Sequence, residues 1–410
     1  MGEVLFLCHR VPFPPDRGDK IRSHHILKAI ARLAPVHVAT FADDALDAAE
    51  EAELAQTAGS YRLVRRAKPL VLAGLQALAQ RRPVSLTAFH DRALASYVDE
   101  VLNTRPISAI YVFSGQMGQY VPAGFKGRVI ADFVDVDSAK FEAYAARKGV
   151  IGWIDAREGQ LLRAEEARLA ERADASLLVS RAEADLFRER LPAAIRAKAD
   201  VRVLGNGIDS AHFDPVLVDG APEMREFPRP RLIFTGQMDY APNIAAAMRV
   251  IERILPIVRR RCPDATFHVV GRNPPAELLA RHGTDGCRIW GRVEDIRPWL
   301  KAADMALVPL EIARGVQNKV LEAMAMALPV VASSGAATGI DAADGVQFAV
   351  ADSDEALAGK VLGLLADRNA AHAMGAAARR FVIENASWQS ALAGLPALLD
   401  PARTASRDAA

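Results

Sequence analysis

Arg314, Lys319 and Glu322 fall within nine residues of a 410-residue chain and offer the most pointed chemistry in it. They belong to the stretch Ala313-Arg314-Gly315-Val316-Gln317-Asn318-Lys319-Val320-Leu321-Glu322-Ala323-Met324, set between the apolar runs Met305 to Leu310 and Pro329 to Ser333. The pattern predicts strand, short loop, helix and strand again. A loop that runs into a helix start exposes unpaired backbone N–H groups, here from Gly315 to Asn318, with Arg314 and Lys319 close by. That arrangement suits a diphosphate. Glu322 lies three residues beyond Lys319 on the same helix face, where a carboxylate could reach a neighbouring sugar hydroxyl. The same spacing also describes a solvated Lys–Glu pair on an exposed helix.

Other residues with chemical potential lie at predicted strand ends. Gly236, Gly271 and Gly291 each close an apolar run, leaving room for a backbone to approach a ligand or to turn tightly into a helix. The loop Pro12 to Lys20 separates the first strand from the first helix; Gly18 would relax its backbone and Asp19 would cap the helix. Asp132, Asp135 and Asp137 form a carboxylate cluster after another strand. Asp135 and Asp137 could ligate Mg²⁺ or Mn²⁺ with substrate phosphates, or serve as polar groups of a cleft, or reflect strand alternation and helix capping by Asp137-Ser138. Asn206-Gly207 is a turn signal at a hinge position. Of His9, His24 and His25 near the first strand end, His9 is the best placed as a polar group.

The elements that must position these residues alternate regularly. Strands are predicted at Val4–Cys8, Val36–Phe41, Ile110–Phe113, Arg128–Val134, Ser176–Val179 and Val201–Leu204, with helices such as Lys20–Leu33 and Trp153–Ala173 between them. The stretch 210–231, with Pro215, Pro222, Pro228 and Pro230, breaks the rhythm and reads as a linker. Alternation then resumes with strands at 232–236, 266–271, 288–290, 305–310 and 329–332. Near-continuous apolar strands separated by helices imply α/β architecture with parallel sheets covered on both faces. A chain of this length divides into two such domains, with a shared ligand in the cleft between them. The composition, 51% hydrophobic and 25% charged with a formal net charge of +1, is ordinary for a globular protein and makes no electrostatic case for nucleic-acid binding. Three scattered cysteines form neither a disulfide framework nor a zinc pattern, and no apolar run reaches the ~18 residues of a bilayer span. Met1–Cys8 reads as a first strand rather than a signal peptide. A cytoplasmic location is expected.

Asn206-Gly207-Ile208-Asp209 with Phe213, Phe234-Thr235-Gly236-Gln237-Met238, Val270-Gly271, Gly291-Arg292-Val293-Glu294-Asp295, and Asn318-Lys319-Val320-Leu321-Glu322-Ala323-Met324-Ala325 followed by Pro329-Val330-Val331-Ala332 together resemble the group 1 (family 4) glycosyltransferases. The block Cys8 to Lys20 is most similar to the glycosyltransferases of bacterial exosortase (PEP-CTERM) and exopolysaccharide systems. The resemblance implies a GT-B fold of two facing Rossmann-like domains. The acceptor-binding domain would span 1–205, a hinge 206–231, the nucleotide-sugar-binding domain 232–380, and a crossing-back C-terminal helix and tail 381–410. It also implies retaining, metal-independent transfer with no cofactor, the nucleotide diphosphate sugar being a co-substrate. Glu322 matches the glutamate that holds the donor ribose hydroxyls.

Three positions depart from that family's pattern. Arg314 stands where a glutamate usually contacts the donor sugar, and Gln237 and Asn243 stand where Arg and Lys usually contact the diphosphate. A diphosphate leaving group builds negative charge as the glycosidic bond breaks, so the cations must come from elsewhere. Arg314 and Lys319, with the N–H groups of Gly315 to Asn318, are the candidates, followed by Arg272 and Arg292; Asp135 is the catalytic candidate on the acceptor side. The donor site is expected to comprise Gly236, Asn243, Gly271, Arg272, Arg292, Gly315, Gln317, Asn318, Lys319 and Glu322, and the acceptor side Gly18, Asp19, His9 and Asn206. The expected reaction passes a sugar to a polysaccharide or lipid-linked acceptor, with peripheral contact at the cytoplasmic membrane face. A nucleotide-sugar epimerase or a non-catalytic binding homologue would share the fold. A dinucleotide dehydrogenase is disfavoured, because no Gly-x-Gly-x-x-Gly follows the first strand.

Overall fold

The computed structural model describes residues 2–15, 18–145, 150–311 and 316–400. The chain forms two compact units, Met1–Asn206 joined by the residues from Leu392 onward, and Gly207–Ala391.

In the first unit, β1 (Glu3–Cys8), β2 (Val36–Ala42), β3 (Ser60–Arg65), β4 (Ile107–Phe113), β5 (Arg128–Val134), β6 (Ala175–Leu178) and β7 (Val201–Val203) form a sheet in the order 3-2-1-4-5-6-7. Every pairing is parallel. Helices cover the sheet, so β2 is buried along its whole length and β1 everywhere except Glu3. The edge strand β3 is absent from the sequence expectation because Arg62 and Arg65 interrupt its apolar pattern; it pairs with β2 from His37–Ser60 to Ala42–Arg65.

A buried polar network ties the centre of this unit together. Arg22, from the helix Gly18–Ala31, gives Nε and Nη2 to the two carboxylate oxygens of Asp132 on β5 at 3.1 and 3.0 Å. Tyr111 of β4 donates its hydroxyl to the same carboxylate at 2.8 Å, and Arg22 Nη1 donates to Asn206 Oδ1 at 2.9 Å. Arg22 and Asp132 are both fully buried, so each depends on the other to offset its lost hydration. Two residues beyond Asp132, Val134 holds a left-handed φ of 69°, unfavourable for a β-branched residue. Its N–H donates to Asp132 Oδ1 and its carbonyl accepts from Val179 N–H.

In the second unit, β8 (Arg231–Thr235), β9 (Thr266–Val270), β10 (Cys287–Gly291), β11 (Met305–Val308), β12 (Val330–Ala332) and β13 (Ala349–Val350) pair in parallel in the order 10-9-8-11-12-13. The proline-rich stretch before β8 packs into this unit. Ala221 and Met224 are buried in its core, and Ala221 N–H donates to the Pro298 carbonyl. Gly207 likewise serves contact rather than a free turn: a Cβ there would lie 2.3 Å from the backbone nitrogen of Trp388, because Ile208 and Ser387 form a parallel bridge. Beyond the helix Arg368–Phe381, the chain passes to the first unit, where Arg128 Nε donates to the Leu398 carbonyl. Cys8, Cys262 and Cys287 are free thiols.

Among the described residues Asp132 is the carboxylate hydrogen-bonded to the buried Arg22 guanidinium, so Asp132→Ala should cost about 3–5 kcal/mol by stranding that charge. Chemical denaturation should show the midpoint falling, with Asp132→Asn intermediate. A loss below about 1 kcal/mol for the alanine variant would show that Arg22 finds another partner or solvent.

Candidate functional site

In an open, doubly wound sheet, ligands gather beyond the carboxyl ends of the strands where the strand order reverses. In the second unit that reversal falls between β8 and β11, and a cavity of about 550 Å³ opens there. Nine of the ten expected donor-site residues line it: Gly236, Asn243, Gly271, Arg272, Arg292, Gln317, Asn318, Lys319 and Glu322. The tenth, Gly315, and the catalytic candidate Arg314 lie outside the described residues.

The backbone around the cavity is close-set. A Cβ on Gly271 would sit 1.6 Å from the carbonyl oxygen of Gly236, so only glycine lets β8 and β9 end side by side here. Met238 N–H then donates to the Arg272 carbonyl at 2.8 Å, locking the two strand-end loops together. Val270, Val293 and Ile296 supply an apolar wall that spacing had not singled out as a group. Arg272 and Arg292 are exposed at the rim.

The helix Asn318–Ala325 opens onto the cavity with Gln317 as its N-cap residue. Lys319 is half-buried, its ammonium 5.0 Å above the Phe234 ring and donating to Asn243 Oδ1 at 2.6 Å. Asn243 in turn donates its Nδ2 to the Gln237 carbonyl at 2.8 Å. Asn243 is therefore not an idle replacement for a cation; it is the acceptor that orients Lys319. Glu322, one turn further, is half-buried in the same wall. Burial lowers the Lys319 ammonium to about 8 and raises the Glu322 carboxyl to about 7, each only partly offset by the other's charge. The pair is thus not the solvated helix pair that spacing alone allowed. An anion beside Lys319 or hydroxyl donors to Glu322 would each favour the charged form of that group.

The acceptor-side candidates belong to the first unit. His9 follows β1, its ring stacked on Phe113 with centroids 5.9 Å apart and its Nε2 3.4 Å from Asp19 Oδ2. Asp19 does not cap the helix Gly18–Ala31: it lies within the first turn and takes Arg10 Nη1 at 2.6 Å. Burial alone would raise the Asp19 carboxyl, but hydrogen bonds from His9 and Arg10 hold it far below its usual range. Gly18 begins the helix with open space where a Cβ would stand, so the backbone does not require glycine there. Asn206 is spent on Arg22. Asp135 and Asp137 share Lys140 Nζ at 2.8 and 3.2 Å, and neither Asp137 nor Ser138 caps the following helix, whose N-cap is Val136. Ser138 instead gives its N–H and hydroxyl to buried Glu166, whose carboxyl burial pushes up to about 7. Among the described residues no group of three or more His, Cys, Asp or Glu is arranged to hold a metal ion. Arg22 and Tyr111 escaped sequence reasoning because a buried Arg inside an amphipathic helix looks like a surface charge until the fold places Asp132 opposite it.

The fold and cavity define a pair of Rossmann-like α/β domains, the second carrying an anion-suited site at its strand reversal. Residues 229–367 match the family model described as glycosyl transferases group 1. The chain is 30% identical over 257 residues to the GDP-mannose-dependent alpha-(1-6)-phosphatidylinositol monomannoside mannosyltransferase of Mycolicibacterium smegmatis, covering 58% of this chain and 65% of that protein. It is 28% identical over 169 residues to the phosphatidyl-myo-inositol mannosyltransferase of Propionibacterium freudenreichii subsp. shermanii, covering 41% and 40% of the two. The chain thus spans less than two thirds of either relative. Among solved structures, Anabaena HepE in complex with UDP shares the fold with a TM-score of 0.62 and 15% identity over 97% of this chain and all of that one. These similarities support the group 1 assignment for the second unit and the two-domain α/β fold for the chain.

The lowered Lys319 equilibrium has a measurable consequence. A bound diphosphate favours the charged ammonium, so at about pH 8.5 binding a nucleoside diphosphate should draw a proton from solution. Calorimetry in two buffers of different ionisation enthalpy should report that uptake, and Lys319→Met should abolish it. Binding of wild type without proton uptake at that pH would show that the anion does not meet Lys319.

Proposed function

We propose that the protein is a retaining, metal-independent glycosyltransferase that moves a hexosyl group from a nucleotide diphosphate sugar to a lipid-linked or polysaccharide acceptor in exopolysaccharide synthesis. It would work at the cytoplasmic face of a membrane in peripheral contact with it. The observation that carries this reading is the cavity in the group 1 segment where Lys319 and Glu322 are half-buried with opposed shifts in protonation. The two mannosyltransferase relatives, both named for phosphatidylinositol-type acceptors, support a lipid-linked acceptor, and the UDP complex of the structurally similar HepE supports a nucleoside diphosphate in the cavity.

The chain's own residues supply the steps. Glu322 accepts hydrogen bonds from the ribose hydroxyls and so fixes the donor along the helix. Lys319, aimed by Asn243 and Gln237, faces the diphosphate at the positive end of the helix Asn318–Ala325. As the glycosidic bond breaks, the electron pair passes to the leaving diphosphate, and the ammonium and helix start stabilise the charge that develops. Arg272 and Arg292 at the rim add a longer-range positive field. Val293 and Ile296 offer an apolar face for the nucleobase, and the neighbouring backbone would read its edge.

A thermal-shift screen with uridine, guanosine, adenosine and thymidine diphosphates tests the reading directly. One base should stabilise the protein selectively, by about 2.7 kcal/mol at a hundredfold excess over Kd. Failure of all four to raise the melting temperature would remove the nucleotide-sugar assignment. In the folded Glu322→Ala variant, diphosphate affinity should weaken by roughly 1.5–3 kcal/mol.

Turnover tests the chemistry separately. Lys319→Ala should lower kcat by ~10²–10³ while changing the donor KM far less, because the charge it meets develops in the transition state. Activity should persist in excess chelator. Activity lost to chelator and restored by Mn²⁺ or Mg²⁺ would transfer the charge-stabilising role to a metal.

A further inference from the structure

The helix Asn318–Ala325, which carries Lys319 and Glu322, ends on a turn that its own residues do not favour. Leu328 N–H donates to the Ala323 carbonyl and Ala327 N–H to the Met324 carbonyl, both at 3.0 Å, the paired bonds of a Schellman turn. That turn places Ala327 in the left-handed region, at a φ of 55°, where glycine is usual and a Cβ is unfavourable. The carbonyl of Ala325 is left over, because the residue four further along is Pro329, which has no N–H to give. One face of the helix Arg368–Phe381 holds this end in place. Gly375 lies so close to the turn that a Cβ there would stand 2.2 Å from the Ala327 carbonyl oxygen. Four residues on, and so on the same face, Arg379 donates through Nη1 to the Ala325 carbonyl at 2.5 Å.

The same guanidinium reaches the segment that opens the second unit. Its Nη1 also donates to the Phe213 carbonyl at 2.9 Å, and its Nη2 pairs with Asp214 Oδ2 at 2.8 Å. Phe213 is itself fixed, its N–H donating to the Asp209 carbonyl and its side chain packed on the unit's core. The block Asn206-Gly207-Ile208-Asp209 with Phe213 thus ends on the residue that grips the helix carrying Lys319. The Arg379 side chain is only 19% exposed, so its planar fork is spent on these acceptors more than on solvent. It is not among the described residues that line the cavity, and so it acts through the helix. An eight-residue α-helix is a rigid rod about 12 Å long, and a displacement at its carboxyl end reaches Lys319 and Glu322 undiminished. From a left-over carbonyl, a backbone contact at the same turn and a guanidinium shared with residues 213 and 214, we infer that Arg379 is a positioning residue for the cavity. Its grip sets where the helix Asn318–Ala325 stands along its axis, and with it Lys319 and Glu322. The inference deepens the proposed function and rests on it in taking the cavity for a nucleoside diphosphate site.

Titration of Lys319 in the ligand-free full chain tests the grip without any nucleotide. NMR of isotope-labelled lysine reports it, the signal being assigned by its loss in Lys319→Met. Arg379→Met should let the helix slide and hydrate the ammonium. The Lys319 midpoint should then rise from about 8 toward the ordinary lysine range, by about one pH unit or more. Uridine, guanosine, adenosine and thymidine diphosphates are titrated separately, below the melting temperature of each variant. Affinity for whichever binds the wild type should fall roughly tenfold. Arg379→Lys keeps the charge at the helix end but cannot span three acceptors, so it should show both changes. Should Arg379→Met fail to fold, Arg379→Lys carries the same two measurements. An unmoved Lys319 midpoint, or unchanged affinity where the wild type binds, would overturn the inference, since Arg379 would then serve stability alone. Wild-type behaviour in Arg379→Lys would overturn it too, by assigning the effect to charge at the helix end instead of grip. The two readings fail separately. A moved Lys319 midpoint in a protein that binds none of the four diphosphates removes the proposed function alone. Equal binding by wild type and variants, with Lys319 unmoved, removes the role of Arg379 alone.

Discussion

The contact between Lys319 and Asn243 organises the second unit's chemistry. An ammonium half-buried above an aromatic ring needs a partner to keep its direction, and Asn243 provides one without adding charge. Asn243 can do so because its amide is fixed by the Gln237 carbonyl, and Gln237 follows the glycine whose close approach to Gly271 brings the two strand ends together. One hydrogen-bond chain thus runs from the sheet edge to the cation. Had a lysine stood at position 243, as the resemblance leads one to expect, two ammonium groups would have shared the same few ångströms and repelled each other in the absence of ligand. The asparagine keeps a single cation in a defined place, while burial penalises its charge and brings its protonation equilibrium down to about 8.

The first unit solves a different problem with the same materials. Its parallel sheet is covered on both faces, and the Arg22–Asp132 pair lies where solvent cannot reach. Such a pair is weak evidence of net stability, since desolvating both charges costs nearly what their attraction returns. Its value lies in specificity: Tyr111, Asp132, Arg22 and Asn206 come from three separate elements and the segment after β7, and only one arrangement of the four satisfies all of them. That arrangement also accompanies the left-handed Val134, so the segment carrying Asp135 and Asp137 leaves the sheet in a fixed direction.

Several features were legible before any coordinates. Near-continuous apolar runs such as Val4–Cys8 and Val36–Phe41 became fully covered parallel strands, because a strand buried on both faces has no polar side to show. The short loop-to-helix segment ending in Lys319 and Glu322 became a cavity wall, because a helix entered from a strand end in a doubly wound sheet presents its first turn to the sheet's carboxyl edge. Local rules misled where a side chain had a distant partner. Asp19 reads as a cap and is an ion-pair partner of Arg10; Asp137 and Ser138 read as caps, yet one meets Lys140 and the other Glu166. The edge strand Ser60–Arg65 and the two-residue strand Ala349–Val350 were too polar or too short to announce themselves.

By itself, then, the order of residues determined the alternation of strands and helices, the division into two α/β units, and the group of residues at the strand ends, because periodicity and glycine placement are local properties of a chain. Only the tertiary structure decided what those residues face. It turned Asn243 from a missing cation into the acceptor that aims Lys319, brought Arg22 to Asp132 across 110 positions, and pointed Leu75 and Leu78 outward instead of into the core. Hydrogen-bond partners, burial and the equilibria they shift depend on which distant segments arrive within a few ångströms, and no spacing along the chain encodes that distance.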